Sequence, residues 1–324
     1  MFLSLAIVAQ IIVAVLLIIA LMVGNAVVMV YMERKVAGFI QRRPGPYEVG
    51  PYGTLQAICD SMKLLAKQLY RPGNVDLILY YLAPILAFFP VLLLYLPIPF
   101  GPYLTALPVG DGVILILAFA GLGVLSNLLA GWSSNNKYSL LGAARAVSQT
   151  VAYEIPMILA LLAVVFLSGS TDLKVVTDQQ GPWPWQWNIV LQPLAFFIYL
   201  VSLVGETNRA PFDLPEAESE LAAGFHTEYS GMGFALFFLS EYANMLLVSF
   251  VAAVFFLGGY KGPIADGFWW IFIKAYALMF FMVWIRWTFP RVRFDQLLNI
   301  NWKWLLPLGL FNLWLTAAVI KVAF

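Results

Sequence analysis

Residues 3–31 read LSLAIVAQIIVAVLLIIALMVGNAVVMVY and contain no charged side chain. A membrane helix needs about 20 apolar residues to cross a hydrocarbon core of roughly 30 Å, so this stretch is long enough to span a bilayer. No basic leader precedes it and no small-residue cleavage site follows it, so we expect the span to be retained. At about 1.5 Å per residue the helix is longer than the bilayer is thick, which predicts tilting or an extension beyond the membrane.

Comparable apolar runs recur along the whole chain. Of its 324 residues, 62% are hydrophobic and 11% are charged, whereas soluble domains are about 45–50% apolar and about 25% charged. No linker or internal repeat divides the chain, so we predict an all-α polytopic membrane protein with one transmembrane domain over residues 1–324. The eight predicted spans are 3–31, 76–98, 112–131, 147–168, 188–206, 233–258, 267–289 and 303–323.

The composition argues against several classes of function. The net charge of +1 argues against nucleic-acid binding. Cys59 is the only cysteine and His226 the only histidine, which excludes an internal disulfide, a cysteine-ligated cluster and paired-histidine haem ligation by this chain alone. The sequence shows no phosphate-binding glycine loop, no metal-spacing motif and no nucleophile triad. We therefore expect this chain to bind no metal or cofactor by itself and to have no redox chemistry of its own.

Basic residues are distributed unevenly between the two sets of loops. Fourteen lysines and arginines fall on one side of the predicted spans and three on the other. Because cytoplasmic loops carry the excess of positive charge, this asymmetry predicts that both termini lie outside and that the acidic loop 206–232 lies inside. We expect the bacterial cytoplasmic (inner) membrane, with the mitochondrial inner membrane as the alternative.

Residues 54–70 follow a different pattern from the spans. Apolar residues recur at three- and four-residue spacing, while Gln56, Asp60, Lys63 and Lys67 share the opposite face. This pattern is typical of an amphipathic helix lying at the membrane surface. Asp60 and Lys63 are three residues apart, so their side chains can pair on the helix, or the polar face can line a cavity.

Carboxylates within apolar runs carry the clearest functional signal. Glu154 lies in the fourth span, two residues before Pro156, and Glu241 lies in the sixth. An ionised acid at the centre of a membrane helix costs roughly 2.5–3.5 kcal/mol on insertion scales, so each acid indicates either a proton relay or a cationic partner. Lys274 in the seventh span is the buried cation, and it could pair with Glu154 or Glu241.

The loop between the fifth and sixth spans concentrates acidic residues. Glu216 and Glu220 are four residues apart on one predicted helix face. Like charges at this spacing repel, which predicts a raised pKa or an approaching basic partner. Arg209 and Asp213 are close enough in sequence to form a local pair.

Seven segments of this chain together resemble one known family. The segments are the Glu-Arg-Lys at 33–35, the turn 43–53, and residues 131–154, 205–232, 284–286, 290–297 and 302–303. They are similar to the quinone-site membrane subunit of proton-pumping NADH:quinone oxidoreductase, respiratory complex I, which is numbered 1 in mitochondria and lettered H in bacteria. The resemblance covers nearly the whole chain, and its motifs are long enough to be specific.

The resemblance implies an eight-span, non-redox subunit that is inactive alone. It would abut the iron–sulfur subunits of a hydrophilic arm and other membrane-arm subunits, within a lipid membrane. Flavin and iron–sulfur clusters would belong to the partners, and a quinone such as ubiquinone would be the substrate. The implied quinone-binding residues are Glu33, Arg34, Arg43, Asp60 and Lys63, with Glu206, Arg209, Asp213, Glu216, Glu218 and Glu220 in the charged loop. The predicted proton path consists of Glu154, Glu206, Glu228, Glu241 and Lys274.

Two other functions stay open from the sequence. One is the equivalent subunit of a membrane-bound hydrogenase or a ferredoxin-linked relative, although 211–220 is more similar to the quinone-linked branch. The other is a stand-alone secondary transporter. Such transporters usually contain two repeated halves with broken helices in matching positions, and the sequence shows no such repeat.

Overall fold

The computed structural model describes residues 2–214 and 223–323, and its regular structure there is helical apart from an isolated bridge between Pro99 and Thr105. The predicted all-α polytopic class is confirmed, since seven described helices are long and apolar enough to cross a membrane. The helices are α1 (Phe2–Ile40), α2 (Gln56–Ala66), α3 (Leu77–Leu94), α4 (Gly112–Ser133), α5 (Lys137–Ser168), α6 (Leu173–Gln179), α7 (Asn188–Leu191), α8 (Pro193–Glu206), α9 (Gly231–Phe256), α10 (Phe268–Thr288), α11 (Phe294–Ile300) and α12 (Leu306–Ala323), with a π-helical turn, Asn301–Leu305, joining the last two.

The span predicted at 188–206 is present in two pieces. Helix α7 ends at Leu191, and α8 begins at Pro193 after a break at Gln192. The 14 residues of α8 are about 21 Å long at 1.5 Å per residue, so this helix is shorter than the hydrocarbon core is thick. The side-chain amide of Gln192 donates to Thr316 Oγ1 at 2.9 Å and accepts from Asn312 Nδ2 at 3.1 Å. These bonds attach the break to α12.

Two helices are longer than their predicted spans. Helix α1 continues to Ile40, so the charged residues 33–35 lie inside the helix and do not end it. Helix α5 begins at Lys137, ten residues before the predicted start at 147. The Asn136 side chain accepts from Tyr138 N at 3.0 Å and caps this helix. Hydropathy marks only the membrane-embedded part of a helix, whereas backbone hydrogen bonding continues into the polar region beyond it.

The predicted surface helix 54–70 is observed as the shorter helix α2. It ends at Ala66 because Lys67 adopts an extended backbone conformation. The chain that follows is held by Ser230, whose hydroxyl accepts from Tyr70 N at 3.0 Å. Gly231 has a φ of +53°, and a Cβ there would lie 2.9 Å from the Lys67 carbonyl oxygen. The contact with Ser230 and Gly231 therefore ends α2 at Ala66, although the amphipathic pattern of the sequence continues to residue 70.

Helix α9 is the centre of the bundle and packs against α1, α3 and α10. Every residue from Met245 to Phe256 is buried. Helix α3 contains Pro84, which cannot donate to the carbonyl of Tyr80. The hydroxyl of Tyr229 donates to that carbonyl at 3.1 Å, so the loop before α9 satisfies a backbone group that proline leaves open.

The loops collect at two opposite ends of the bundle, which we name the inner end and the outer end after the predicted orientation. At the inner end, Asn135 Nδ2 donates to Asn74 O and Asn136 Nδ2 donates to Glu228. At the outer end, Lys261 Nζ donates to the carbonyl of Asp178. The described inner loops are 41–55, 67–76, 134–136, 207–214, 223–230 and 289–293, and the outer loops are 95–111, 169–172, 180–187 and 257–267.

Candidate functional site

A cavity of about 380 Å³ lies at the inner end between α1, α9, α10 and the loop that precedes α9. We name it the charged cavity because both acidic and basic side chains line it. Aromatic rings complete the wall, with Phe234, Phe237 and Phe238 on α9 and Trp287 on α10. The lining residues with polar side chains are Glu33, Arg34, Arg43, Arg209, His226, Glu241, Tyr242 and Arg286.

Glu33 is the most enclosed carboxylate of the charged cavity. Its side chain is 9% exposed and forms an ion pair with Arg286. The hydroxyl of Tyr242 donates to Glu33 Oε2 at 2.6 Å. Each carboxylate oxygen thus has a donor, which is what a buried charge requires. The ion pair and the hydroxyl bond connect α1, α9 and α10 across the cavity.

The loop 207–214 is fixed to this wall by charge. Arg209 lies 4.0 Å from Glu241 Oε2, and its guanidinium lies 4.6 Å from the centroid of the Tyr242 ring. Arg291 Nη2 donates to Asp213 Oδ2 at 3.1 Å. The Nε2 atom of Gln149 donates to Asn208 Oδ1 and the Phe212 carbonyl of this segment, and to the carbonyl of Gly205 near the end of α8.

Asp60 contacts the charged cavity through Arg34. Arg34 Nη1 donates to Asp60 Oδ2 at 2.6 Å, and Gln56 donates to the other oxygen. The Arg34 hydrogen bond holds the pKa of Asp60 below its usual value, against the opposite effect of burial. The direct ion pair of Asp60 is with Arg34 of α1, and Lys63 adds a weaker electrostatic attraction to the same carboxylate.

A second cavity, of about 100 Å³, lies deeper in the bundle between α3, α4, α5, α8 and α9. We name it the carboxylate cavity because Glu154, Glu206 and Glu241 all line it, and no basic side chain of the described residues does. Its volume has room for a few water molecules, and its polar wall offers them partners. The uncharged polar lining consists of Asn127, Thr150, Tyr199, Thr207, Asn208, Ser240 and Asn244.

Lys274 lies far from these carboxylates. Its ammonium donates to the carbonyl oxygens of Gly259 at 2.9 Å and Lys261 at 2.7 Å, and lies 4.4 Å from the Trp187 ring centroid. These partners belong to the outer end, so the expected pairing with Glu154 or Glu241 is wrong. Lys274 lies early in α10, which starts at the outer end, and hydropathy alone does not give this depth.

Glu228 also lies apart from both cavities. Its carboxylate accepts from Asn136 Nδ2 at 2.6 Å, and its backbone carbonyl accepts from the Tyr80 hydroxyl at 2.9 Å. The structure thus brings together Glu154, Glu206 and Glu241 of the predicted proton path and leaves Glu228 at the inner surface. Glu216, Glu218 and Glu220 lie outside the described residues.

Three residues of the site were missed by sequence reasoning. Tyr242, Arg286 and Gln149 each bond to a predicted site residue or to the loop that carries one. The sequence gives a weak signal for Tyr242, which directly follows Glu241, and for Arg286, which lies near the end of an apolar run. Their partners are distant in sequence, so only the tertiary structure identifies the contacts.

Comparison with known proteins places the chain in one family. Residues 12–317 match the family model described as NADH dehydrogenase. The H subunit of NADH-quinone oxidoreductase from Desulfotalea psychrophila is 50% identical over 321 residues, which cover 95% of this chain and 96% of that protein. The corresponding protein of Dehalococcoides mccartyi is 46% identical over 300 residues, covering 92% and 84%. A third relative, the second H subunit of Geobacter sulfurreducens, is 45% identical over 305 residues, covering 91% and 92%. The chain therefore belongs to the NADH dehydrogenase family of membrane subunits that includes the H subunits of NADH-quinone oxidoreductase.

Proposed function

We propose that this chain is the non-redox membrane subunit of a proton-translocating NADH-quinone oxidoreductase and that the charged cavity is its part of the quinone chamber. The charged cavity itself is the observation that carries this proposal. Its volume of about 380 Å³ falls within the range of about 300–1,000 Å³ that is usual for small-molecule sites.

The wall of the cavity suits a quinone headgroup. Aromatic side chains such as Phe234 and Trp287 offer flat apolar surfaces, while Arg34 and Arg286 offer guanidinium donors. Reduction to a quinol adds two electrons and two protons, and negative charge develops on the quinone oxygens before the protons arrive. Fixed positive donors stabilise such charge most strongly in a site from which water is largely excluded. The electrons would come from an iron–sulfur cluster of a partner subunit.

The carboxylate cavity supports the proton-coupling part of the proposal. Negative charge on a reduced quinone raises the proton affinity of nearby groups, and Glu241 lines both cavities. Proton transfer toward the quinone would therefore leave Glu154, Glu206 and Glu241 with one proton fewer among them. In this scheme the inner end faces the cytoplasm of a bacterium, as the loop charges predict.

Glu33→Gln in the assembled complex tests the quinone site. The change keeps the shape but removes the charge that pairs with Arg286. We expect quinone reduction to fall about tenfold or more, because a hydrogen bond to a charged group contributes about 1.5–3 kcal/mol. Electron transfer from NADH to an artificial acceptor should stay unchanged, since it needs no quinone site.

Glu48→Gln is the matched control, because Glu48 is an exposed acid of the inner end that lines neither cavity. Unchanged quinone reduction in Glu33→Gln would exclude the charged cavity as the quinone site. A parallel loss of the artificial-acceptor rate would instead show a role in assembly.

A further inference from the structure

Helix α2 turns its apolar face away from the bundle. Ile58, Met62 and Leu65 are 43%, 64% and 64% exposed, whereas Ala57 on the bundle side is buried. Met62 is two positions beyond Asp60, so these two side chains point about 200° apart around the helix. Asp60 faces α1, where it pairs with an arginine. An amphipathic helix of a soluble protein has the opposite arrangement, because it buries its apolar face against the core.

Contacts at both ends fix the depth of α2 in the bundle. Arg34, which holds Asp60, is three residues beyond the end of the uncharged run 3–31. At 1.5 Å per residue, this position lies about 5 Å beyond the apolar part of α1. At the other end of α2, the Lys67 carbonyl lies against Gly231, the first residue of α9. Both ends of α2 therefore lie at the level where a membrane span begins or ends.

Helix α2 lies across the inner ends of α1 and α9 and packs against both. The Tyr31 hydroxyl donates to the Tyr52 carbonyl at 3.3 Å and holds the turn before α2 against α1. Since α1 continues to Ile40, α2 packs beside the projecting turns of α1. An amphipathic helix at a bilayer surface occupies this level, with its apolar face about 5–10 Å into the boundary between headgroups and acyl chains.

Basic side chains accompany the apolar face. Lys63, Lys67 and Arg71 follow one another at four-residue intervals, and all three are exposed. No described carboxylate forms an ion pair with Lys67 or Arg71. Asp60, the acid of α2, is already held by Arg34. The surface therefore combines apolar side chains with uncompensated positive charge, which is complementary to a lipid that has acyl chains and a negative headgroup.

We propose that α2 and residues 67–71 form a binding surface for anionic phospholipids of the leaflet at the inner end. The acyl chains contact the apolar face of α2, and the phosphate groups contact Lys67 and Arg71. Apolar contact alone accepts any lipid, and positive charge alone accepts a soluble anion. The combination selects a lipid with a negative headgroup, since each Lys or Arg near such a surface strengthens binding about fivefold.

A photoreactive probe in the intact complex identifies what covers the apolar face. Met62→benzoylphenylalanine places the probe at the centre of that face. The complex is reconstituted into vesicles of equal parts phosphatidylcholine and phosphatidylglycerol, irradiated and digested. We expect phospholipid adducts on the peptide that carries residue 62, with phosphatidylglycerol exceeding phosphatidylcholine about tenfold.

Two further variants and a second probe site separate charge from apolar contact. Lys67→Gln/Arg71→Gln should lower the preference for phosphatidylglycerol about fivefold or more. Lys137→Gln/Lys303→Gln is the matched control, because it removes two exposed cations from α5 and the π-helical turn and should leave the preference unchanged. Leu16→benzoylphenylalanine places the same probe on an exposed part of the uncharged run of α1 and should form adducts with both lipids equally.

The proposal is overturned if the probe at 62 reacts with a peptide of a partner subunit, or forms no adduct where the probe at 16 does. Equal amounts of the two lipids at 62 also overturn it, as does an unchanged preference in Lys67→Gln/Arg71→Gln. No readout involves quinone, so the result is independent of the Glu33→Gln test.

Discussion

Gln180 and Glu33 are buried polar groups at opposite ends of the bundle, and their surroundings satisfy them in different ways. At the outer end, Gln180 Nε2 donates to the carbonyls of Val176 and Val254, and its Oε1 accepts from the backbone N–H groups of Asn188 and Gly258. This amide is neutral and is bonded to backbone on both of its polar atoms. At the inner end, Glu33 is a buried charge, and Arg286 and Tyr242 bind it across the charged cavity.

This difference separates groups that hold the fold from groups that can change state. Burying any polar group costs free energy unless it is hydrogen-bonded. Gln180 meets that requirement with fixed backbone partners, and its side-chain amide does not titrate. Glu33 and Glu241 meet it with arginines across a cavity, an arrangement that responds to a ligand or a proton. Gln180 therefore contributes to rigidity, whereas the pairs of Glu33 and Glu241 with arginines can change state.

The strongest test of this contrast is Arg286→Met at the inner end. The change leaves the Glu33 carboxylate enclosed without its cation, which destabilises a protein by about 3–5 kcal/mol. We expect a lower thermal midpoint of the purified complex and a loss of quinone reduction. The double variant Glu33→Gln/Arg286→Met should recover most of the thermal midpoint without the activity, because no charge is then left unpaired. A double variant as unstable as the single one would show that the Glu33 charge is not the cause.

Gln180→Leu at the outer end should have a smaller effect of a different kind. Leucine cannot bond to the carbonyl of Val254 or to the N–H of Gly258, and unsatisfied buried groups should lower stability by about 2–3 kcal/mol. Quinone reduction per assembled complex should stay unchanged. Gln179→Leu is the neighbouring control, since Gln179 is exposed. A fall in the rate per assembled complex would contradict the purely structural role of Gln180.

The smallest effect is expected for Asp60→Asn at the rim of the charged cavity. The pKa of Asp60 is lowered by Arg34, so the stability that its charge contributes is present above its usual pKa and is lost only as the pH falls through the lowered one. A partly exposed pair contributes about 0–1 kcal/mol. We expect quinone reduction to fall about two- to threefold, by a constant factor between about pH 5.5 and pH 8. If the ratio of the Asp60→Asn rate to the unmodified rate changes with pH within this window, Asp60 changes its charge there.

Hydropathy and motif spacing were sufficient to predict the main features of the fold. Apolar run length located the membrane helices, because a helix satisfies its own backbone within the bilayer and only its side chains need to be apolar. The three- and four-residue spacing near Asp60 located the surface helix. The same local signals placed Glu154 and Glu241 inside spans. These local signals failed at helix ends. Helix α5 begins at Lys137 because Asn136 caps it there, and α2 ends before Lys67 because of a tertiary contact; hydropathy sets neither end.

The tertiary structure alone decided which charges meet. Glu33 and Arg286 are 253 positions apart in the chain, yet they form one ion pair. Lys274 and Glu241 share a hydrophobic context in the sequence, yet the first bonds to outer-end carbonyls and the second faces Arg209. Periodicity is a property of neighbours along one helix, whereas depth in the bundle and the choice of ion partner depend on how separate helices pack. For the same reason, the sequence identified Glu241 as a buried acid, but only the packing of α9 placed it in the wall between two cavities.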